Sequence, residues 1–108
     1  MQTDSEYNPL KEFGKVLDFI IDEEVLESGS RVSIAKVNEL MFDLAIAKDF
    51  GLVGTVQYNE VIDQLIQAKR MLKQNYSTRH KIAATHIKRA EKLAKYYHIY
   101  QSTTEGGN

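Results

Sequence analysis

The residues best suited to chemistry in this chain are a row of cations near its C-terminus. Four lysines recur at spacings that place them on one side of a helix, namely Lys81, Lys88, Lys92 and Lys95. Ammonium groups in such a row match the phosphates of one nucleic-acid strand. Aromatic rings at 96, 97 and 100 lie close by in the sequence and are suited to stacking on bases. The predicted nucleic-acid-binding residues are Arg79, Lys81, Lys88, Arg89, Lys92, Lys95 and Tyr96.

Charge is sorted along the chain. Residues 1–67 carry 13 Asp and Glu against 5 Lys and Arg, whereas residues 68–101 carry 9 Lys and Arg against one acid, Glu91. The net charge is nevertheless only −1. A block of like charge repels itself, which favours an anionic counterpart inside the molecule or outside it. The counterpart inside would be the acids of the first helix, and the basic face would then be an ordinary solvated surface. These acids are Asp18, Asp22, Glu23, Glu24 and Glu27.

The last two predicted helices also admit a helix-turn-helix interpretation. Residues 74–77 would form the turn, and the last helix would enter the major groove of DNA by its N-terminal residues. These groove-facing residues would be Arg79, His80, Lys81, Ala84, Thr85 and Lys88. Two features oppose this interpretation, because the turn lacks the frequent glycine and the last helix is long for a recognition helix.

The sequence contains no catalytic or metal-binding motif that we can identify. Cysteine is absent, and no two histidines have the i, i+3 or i, i+4 spacing that two ligands on one helix require. Neither a G-x-S-x-G turn nor a glycine-rich phosphate loop is found. We therefore expect a protein that is not an enzyme and that holds no cofactor or metal. His86 falls on an apolar helix face, where we expect a hydrogen-bonded side chain rather than a ligand.

The first two helices are predicted from apolar residues at helical spacing. The first has Asn8 as its cap and Pro9 as its first residue, and its apolar stripe continues to Val25 before residues 28–30 break it. The second spans about residues 33–50 and is apolar on most sides. Such a helix is typical of the centre of a bundle.

The third and fourth helices follow an ambiguous stretch at residues 52–58, which we interpret as a packed loop. Thr55 or Asn59 would cap the third helix, and Ser77 or Thr78 would cap the fourth. The fourth helix should run to about residue 100. Its predicted buried face contains Ile82, Ala83, His86, Ile87, Ala90, Leu93, Ala94, Tyr97 and Tyr100.

These four segments predict an all-α fold, a small four-helix bundle-like domain with short loops. It would occupy residues 1–101, and residues 102–108 would form a disordered tail. The polar, acidic N-terminus does not resemble a signal peptide, and the longest apolar run, Leu44–Ala47, is far shorter than the ~20 residues of a membrane span. We therefore expect no membrane partner and a cytoplasmic location.

Three functional interpretations stay open for this predicted bundle. The first is a nucleic-acid-binding or regulatory protein that uses the basic face of the C-terminal helix to bind DNA or RNA. The second is a protein-interaction module, an adaptor or inhibitor, that docks an acidic protein. The third is a homo-oligomer in which the acidic N-terminal helix of one subunit meets the basic C-terminal helix of another. If the protein binds nucleic acid, phosphate contacts would make its affinity depend steeply on salt.

Overall fold

The all-α prediction is confirmed by a computed structural model, which describes residues 7–22, 33–75 and 77–99. The described residues form four helices and no strand. The helices are α1 (Pro9–Ile21), α2 (Ile34–Asp49), α3 (Thr55–Leu72) and α4 (Arg79–Tyr96). The predicted tail at 102–108, the acids Glu23, Glu24 and Glu27, and the ring of Tyr100 lie outside the described residues.

The start of α1 is fixed by its own sequence. The Asn8 side chain accepts hydrogen bonds from the backbone N–H groups of Leu10 (3.1 Å) and Lys11 (3.2 Å), and Pro9 follows as the first helical residue. Both predictions are confirmed. The predicted extension to Val25 is wrong, because α1 ends at Ile21 and the next residue leaves the helical region with φ −45° and ψ 130°.

The bounds of α2 agree with the prediction. The Ser33 hydroxyl accepts a hydrogen bond from the N–H of Lys36 at 3.2 Å and caps the helix. At the other end, Gly51 adopts a φ of 78°, which an L-residue rarely tolerates. The N–H of Gly51 then reaches the carbonyl of Lys48, and the N–H of Leu52 reaches that of Ala47, both at 2.9 Å. This pair of bonds is a Schellman cap, which satisfies carbonyls left open at the helix end.

The connection between α2 and α3 is shorter than predicted. Gly54 occupies the N-cap position and α3 begins at Thr55, so the prediction of a side-chain cap from Thr55 or Asn59 is wrong. The loop is nevertheless packed as predicted, since Val53 is buried.

The last helix begins and ends differently from its prediction. Thr78 stands at the N-cap of α4 but makes no side-chain capping bond. The helix ends at Tyr96 instead of about residue 100. His98 there adopts a left-handed φ of 56°, and the N–H of Ile99 donates to the carbonyl of Ala94 at 2.9 Å. Because the left-handed residue of this Schellman cap is a histidine, no glycine indicates the end of the helix in the sequence.

The core runs through all four helices. α1 packs on α2, α2 on α3, and α3 on α4 most extensively, whereas α1 touches α4 only lightly. The largest side chains with no exposed surface are Phe13, Leu17, Ile20, Leu40, Leu44, Leu65 and Ile87. Among the described residues α2 contacts α1 and α3 but not α4, so the prediction of a central position for α2 is wrong. Its outer side is not covered by the described residues, because Phe42 remains 62 % exposed.

No helix within the described ranges is both long enough and apolar enough to cross a membrane.

Candidate nucleic-acid interface

α3 and α4 form an antiparallel hairpin, which fixes the orientation of the basic helix. The ring Nδ1 of His86 lies 2.9 Å from Gln64 Oε1, and the Tyr97 hydroxyl donates to Glu60 Oε1 at 2.7 Å. Tyr97 is about 27 Å along α4 from its start, and Glu60 is about 18 Å from the end of α3. Two helices that meet at such a distance from their turn run side by side. This arrangement differs from the ~90–120° crossing of a helix-turn-helix and opposes that interpretation.

Four lysines of α4 form what we call the basic strip: Lys81, Lys88, Lys92 and Lys95. All four are exposed. At about 100° per residue they fall within a band of roughly 60° around the helix, and they span about 21 Å along its axis. The buried side of the same helix carries small and aliphatic residues, mainly Ala83, Ile87, Ala90 and Ala94. The strip therefore points away from the core, as the sequence predicts.

The other predicted site residues divide into two groups. Arg89 and Tyr96 are exposed and lie beside the strip, so the structure brings them to the same surface. Arg79 is half-buried and does not belong there, because a step of two residues rotates its side chain about 160° away from that of Lys81. The inclusion of Arg79 in the site stays a prediction, although its side chain lies apart from the strip.

Tyr96 is the most exposed large apolar side chain of the described residues, at 75 %. Its ring makes an edge contact with that of Tyr97, with centroids 5.1 Å apart and planes at 70°. Tyr97 itself is half-buried, packs on the core and is held by Glu60, as expected for a core residue. The ring of Tyr96 therefore contacts that of Tyr97 and remains largely open to solvent.

The electrostatic partners of the strip are few. Lys95 Nζ lies 3.1 Å from Glu91 Oε2 within the same helix. Among the described residues, no carboxylate lies at ion-pairing distance from Lys81, Lys88 or Lys92. Elsewhere, Glu12 pairs with Lys15 inside α1 at 3.6 Å. Within the described ranges, therefore, no acid of α1 forms an ion pair with Lys81, Lys88 or Lys92.

His86 behaves as a structural residue of the hairpin. Burial lowers its pKa, the nearby Arg89 lowers it further, and Asp63 partly opposes both effects. The ring is therefore neutral near pH 7, with the hydrogen on Nδ1 donated to Gln64. The prediction of a hydrogen-bonded histidine is confirmed. The part of the chain that the structure describes holds no group of three or more side chains able to bind a metal ion.

One buried polar contact was missed from the sequence. Asp43 of α2 is 7 % exposed and accepts a hydrogen bond from the Tyr7 hydroxyl. Burial raises the pKa of Asp43, the Tyr7 bond lowers it, and the nearby Glu12 and Glu39 raise it. Asp43 sits three residues from Leu40 and four from Ala47, which was the available indication that it faces the core. The contact ties the segment before α1 to α2.

A second surface feature is apolar. Large hydrophobic side chains are exposed on α2, on the connection that follows it and at the start of α3. They are Phe42 (62 %), Phe50 (65 %), Leu52 (52 %) and Val56 (65 %).

Comparison of the chain with protein-family models, with curated proteins and with solved structures finds no match. The function must therefore be argued from the chain's own surface.

Proposed function

We propose that this protein binds nucleic acid, DNA or RNA, through the basic strip of α4, in a regulatory role and without catalysis of its own. One observation carries the proposal. Four lysines are aligned and exposed over about 21 Å, and the described residues offer a carboxylate partner to only one of them. Exposed cations in a row are the electrostatic footprint of a phosphate-binding surface. We also propose a cytoplasmic location.

The strip would act by neutralising phosphates and releasing their condensed counterions. Such contacts position a strand without distinguishing its bases, so binding should depend weakly on sequence and steeply on salt. The hairpin supports this role, because the contacts of Gln64 with His86 and of Glu60 with Tyr97 hold α4 at two points along its length. The cations therefore stand on a fixed backbone rather than on a mobile segment.

The direct test is a triple charge reversal, Lys88→Glu, Lys92→Glu and Lys95→Glu. Fluorescence anisotropy with a labelled mixed-sequence oligonucleotide at moderate salt should show binding by the wild type and none by the triple variant. The three side chains are exposed, so circular dichroism and thermal unfolding should show an intact fold.

A matched control changes the net charge equally on another surface: Lys11→Glu, Lys15→Glu and Lys36→Glu. The control breaks two exposed ion pairs of small energy, at 3.6 and 3.7 Å, and should bind as the wild type does. Equal loss in both variants would show a response to net charge alone. Full binding by the first triple variant would refute the role of the strip.

A second candidate function has its own observation. The exposed side chains of Phe42, Phe50, Leu52 and Val56 are of the kind that mark protein contacts, which favours an adaptor or inhibitor. An acidic protein would then dock on the strip, or a second copy of the chain would associate with the first. For association between copies of the chain, sedimentation at low and high salt distinguishes the two kinds of contact. Association through charge weakens with salt, whereas association through apolar side chains persists.

A further inference from the structure

We propose that the strip takes a single strand rather than a duplex, with Tyr96 stacking on an unpaired base at the end of the lysine row. This inference rests on the proposed function and names its ligand class. Proteins that bind single strands without sequence preference combine a cationic track for the backbone with aromatic rings for the bases. α4 presents both on adjoining parts of one helix.

The position of Tyr96 is the first argument. Its ring is 75 % exposed and lies one helical turn beyond Lys92 and next to Lys95 in the chain. A strand that follows the lysines therefore passes the ring. The edge contact with Tyr97, at 5.1 Å between centroids, reduces the freedom of Tyr96 before a base arrives. Less freedom is then lost when a base stacks on it.

The hairpin is the second argument, because it does not suit duplex DNA. The bases of a duplex are already stacked on one another and offer no free face to Tyr96 unless one is flipped out. The major groove is about 12 Å wide and admits one helix. α4 lies against α3 along its length, so only its exposed face is free and α3 limits how deeply α4 can enter that groove.

The shape of the strip is the third argument. Its cations follow a nearly straight line of about 21 Å, whereas the phosphates of a duplex wind around the double helix. A flexible single strand can lie along the line and meet each lysine in turn. The strand's flexibility thus supplies the fit that a rigid duplex lacks.

The experiment compares a labelled oligothymidine with a mixed-sequence duplex of equal length, each titrated with the full chain by anisotropy. The wild type should bind the single strand at least tenfold more tightly. Tyr96→Ala should weaken single-strand binding by roughly 5- to 150-fold and leave the weak duplex binding unchanged. Tyr96→Phe, which keeps the ring and loses the hydroxyl, should bind like the wild type.

Two results overturn the inference, and they are distinguishable. Equal or tighter binding of the duplex, with no effect of Tyr96→Ala on either ligand, would refute the single-strand assignment and leave nucleic-acid binding standing. Absence of binding to both ligands by the wild type would refute the proposed function together with the inference.

Discussion

Two partly or fully buried titratable residues, Asp43 and His86, respond to burial in opposite directions. Burial disfavours the charged form of each, so the pKa of the Asp43 carboxyl is raised and the pKa of the His86 imidazole is lowered. A raised folded pKa of an acid stabilises the fold at low pH, and a lowered folded pKa of a base stabilises it at high pH. The two residues should therefore affect stability in opposite ways: Asp43 favours the folded state at low pH, and His86 favours it at high pH.

Asp43→Asn should stabilise the protein at neutral pH by about 1 kcal/mol, because the amide oxygen still accepts the Tyr7 bond without a desolvated charge. The contribution of protonated Asp43 is present below the unfolded pKa of about 3.9 and is lost as pH rises through the raised folded pKa. The difference in stability between Asp43→Asn and the wild type should therefore shrink towards about pH 4. Thermal unfolding at both pH values measures it, and a wild type more stable at neutral pH would contradict the account.

His86→Gln should remove part of the protein's sensitivity to mild acid. The lowered pKa of His86 gives stability that is present above the unfolded pKa of about 6.5 and is lost as pH falls through the folded pKa. The glutamine can still donate to Gln64 and does not titrate. Urea unfolding at about pH 7 and about pH 5 should show that the free energy of unfolding falls more for the wild type than for His86→Gln. Equal losses would mean that His86 does not titrate with folding.

Local residue chemistry was predictable where the partner is near in the sequence. Asn8, Pro9 and Ser33 act within one helical turn of themselves, so their roles follow from residue type and spacing. The Asp43–Tyr7 contact joins residues 36 positions apart, and no local pattern predicts it.

At the scale of the elements, α2 contributes fully buried side chains to the core and gives a sharp test of packing. Leu44 has no exposed surface, and its replacement by alanine should destabilise the fold by about 2–5 kcal/mol. Phe42→Ala on the same helix is the control, since a side chain 62 % exposed should change stability by about 0.5 kcal/mol or less. Urea unfolding of both variants checks this, and similar losses would mean that α2 is packed differently.

The existence of the four helices of the described residues followed from hydrophobic periodicity, whereas the ends of α1 and α4 did not. α1 and α4 both end before their apolar spacing does, at Ile21 and Tyr96. In α4 the termination depends on the left-handed backbone of His98, which residue type does not indicate. At the end of α2, Gly51 indicates the left-handed position from its residue type, and the predicted end of that helix is confirmed.

At the scale of the whole molecule, residues 1–67 are acidic and residues 68–101 are basic. The packing of the helices decides whether these opposite charges lie close enough to neutralise each other. Periodicity alone predicted the strip of Lys81, Lys88, Lys92 and Lys95. It could not predict that α1 would contact α4 only lightly, because that depends on which helices pack together. Arg79 lies apart from the strip for the related reason that cationic residues close in sequence can lie on different sides of a helix.

The salt dependence of binding tests the central claim most directly. Oligothymidine affinity should be measured from about 50 to about 200 mM salt, where the log–log slope is about −0.7 per neutralised phosphate of a single strand. The four lysines of the strip and Arg89 together predict a wild-type slope of about −3.5, and Lys92→Ala should make it shallower by about 0.7. A wild-type slope near zero, or a slope unchanged by Lys92→Ala, would contradict phosphate binding on this face of α4.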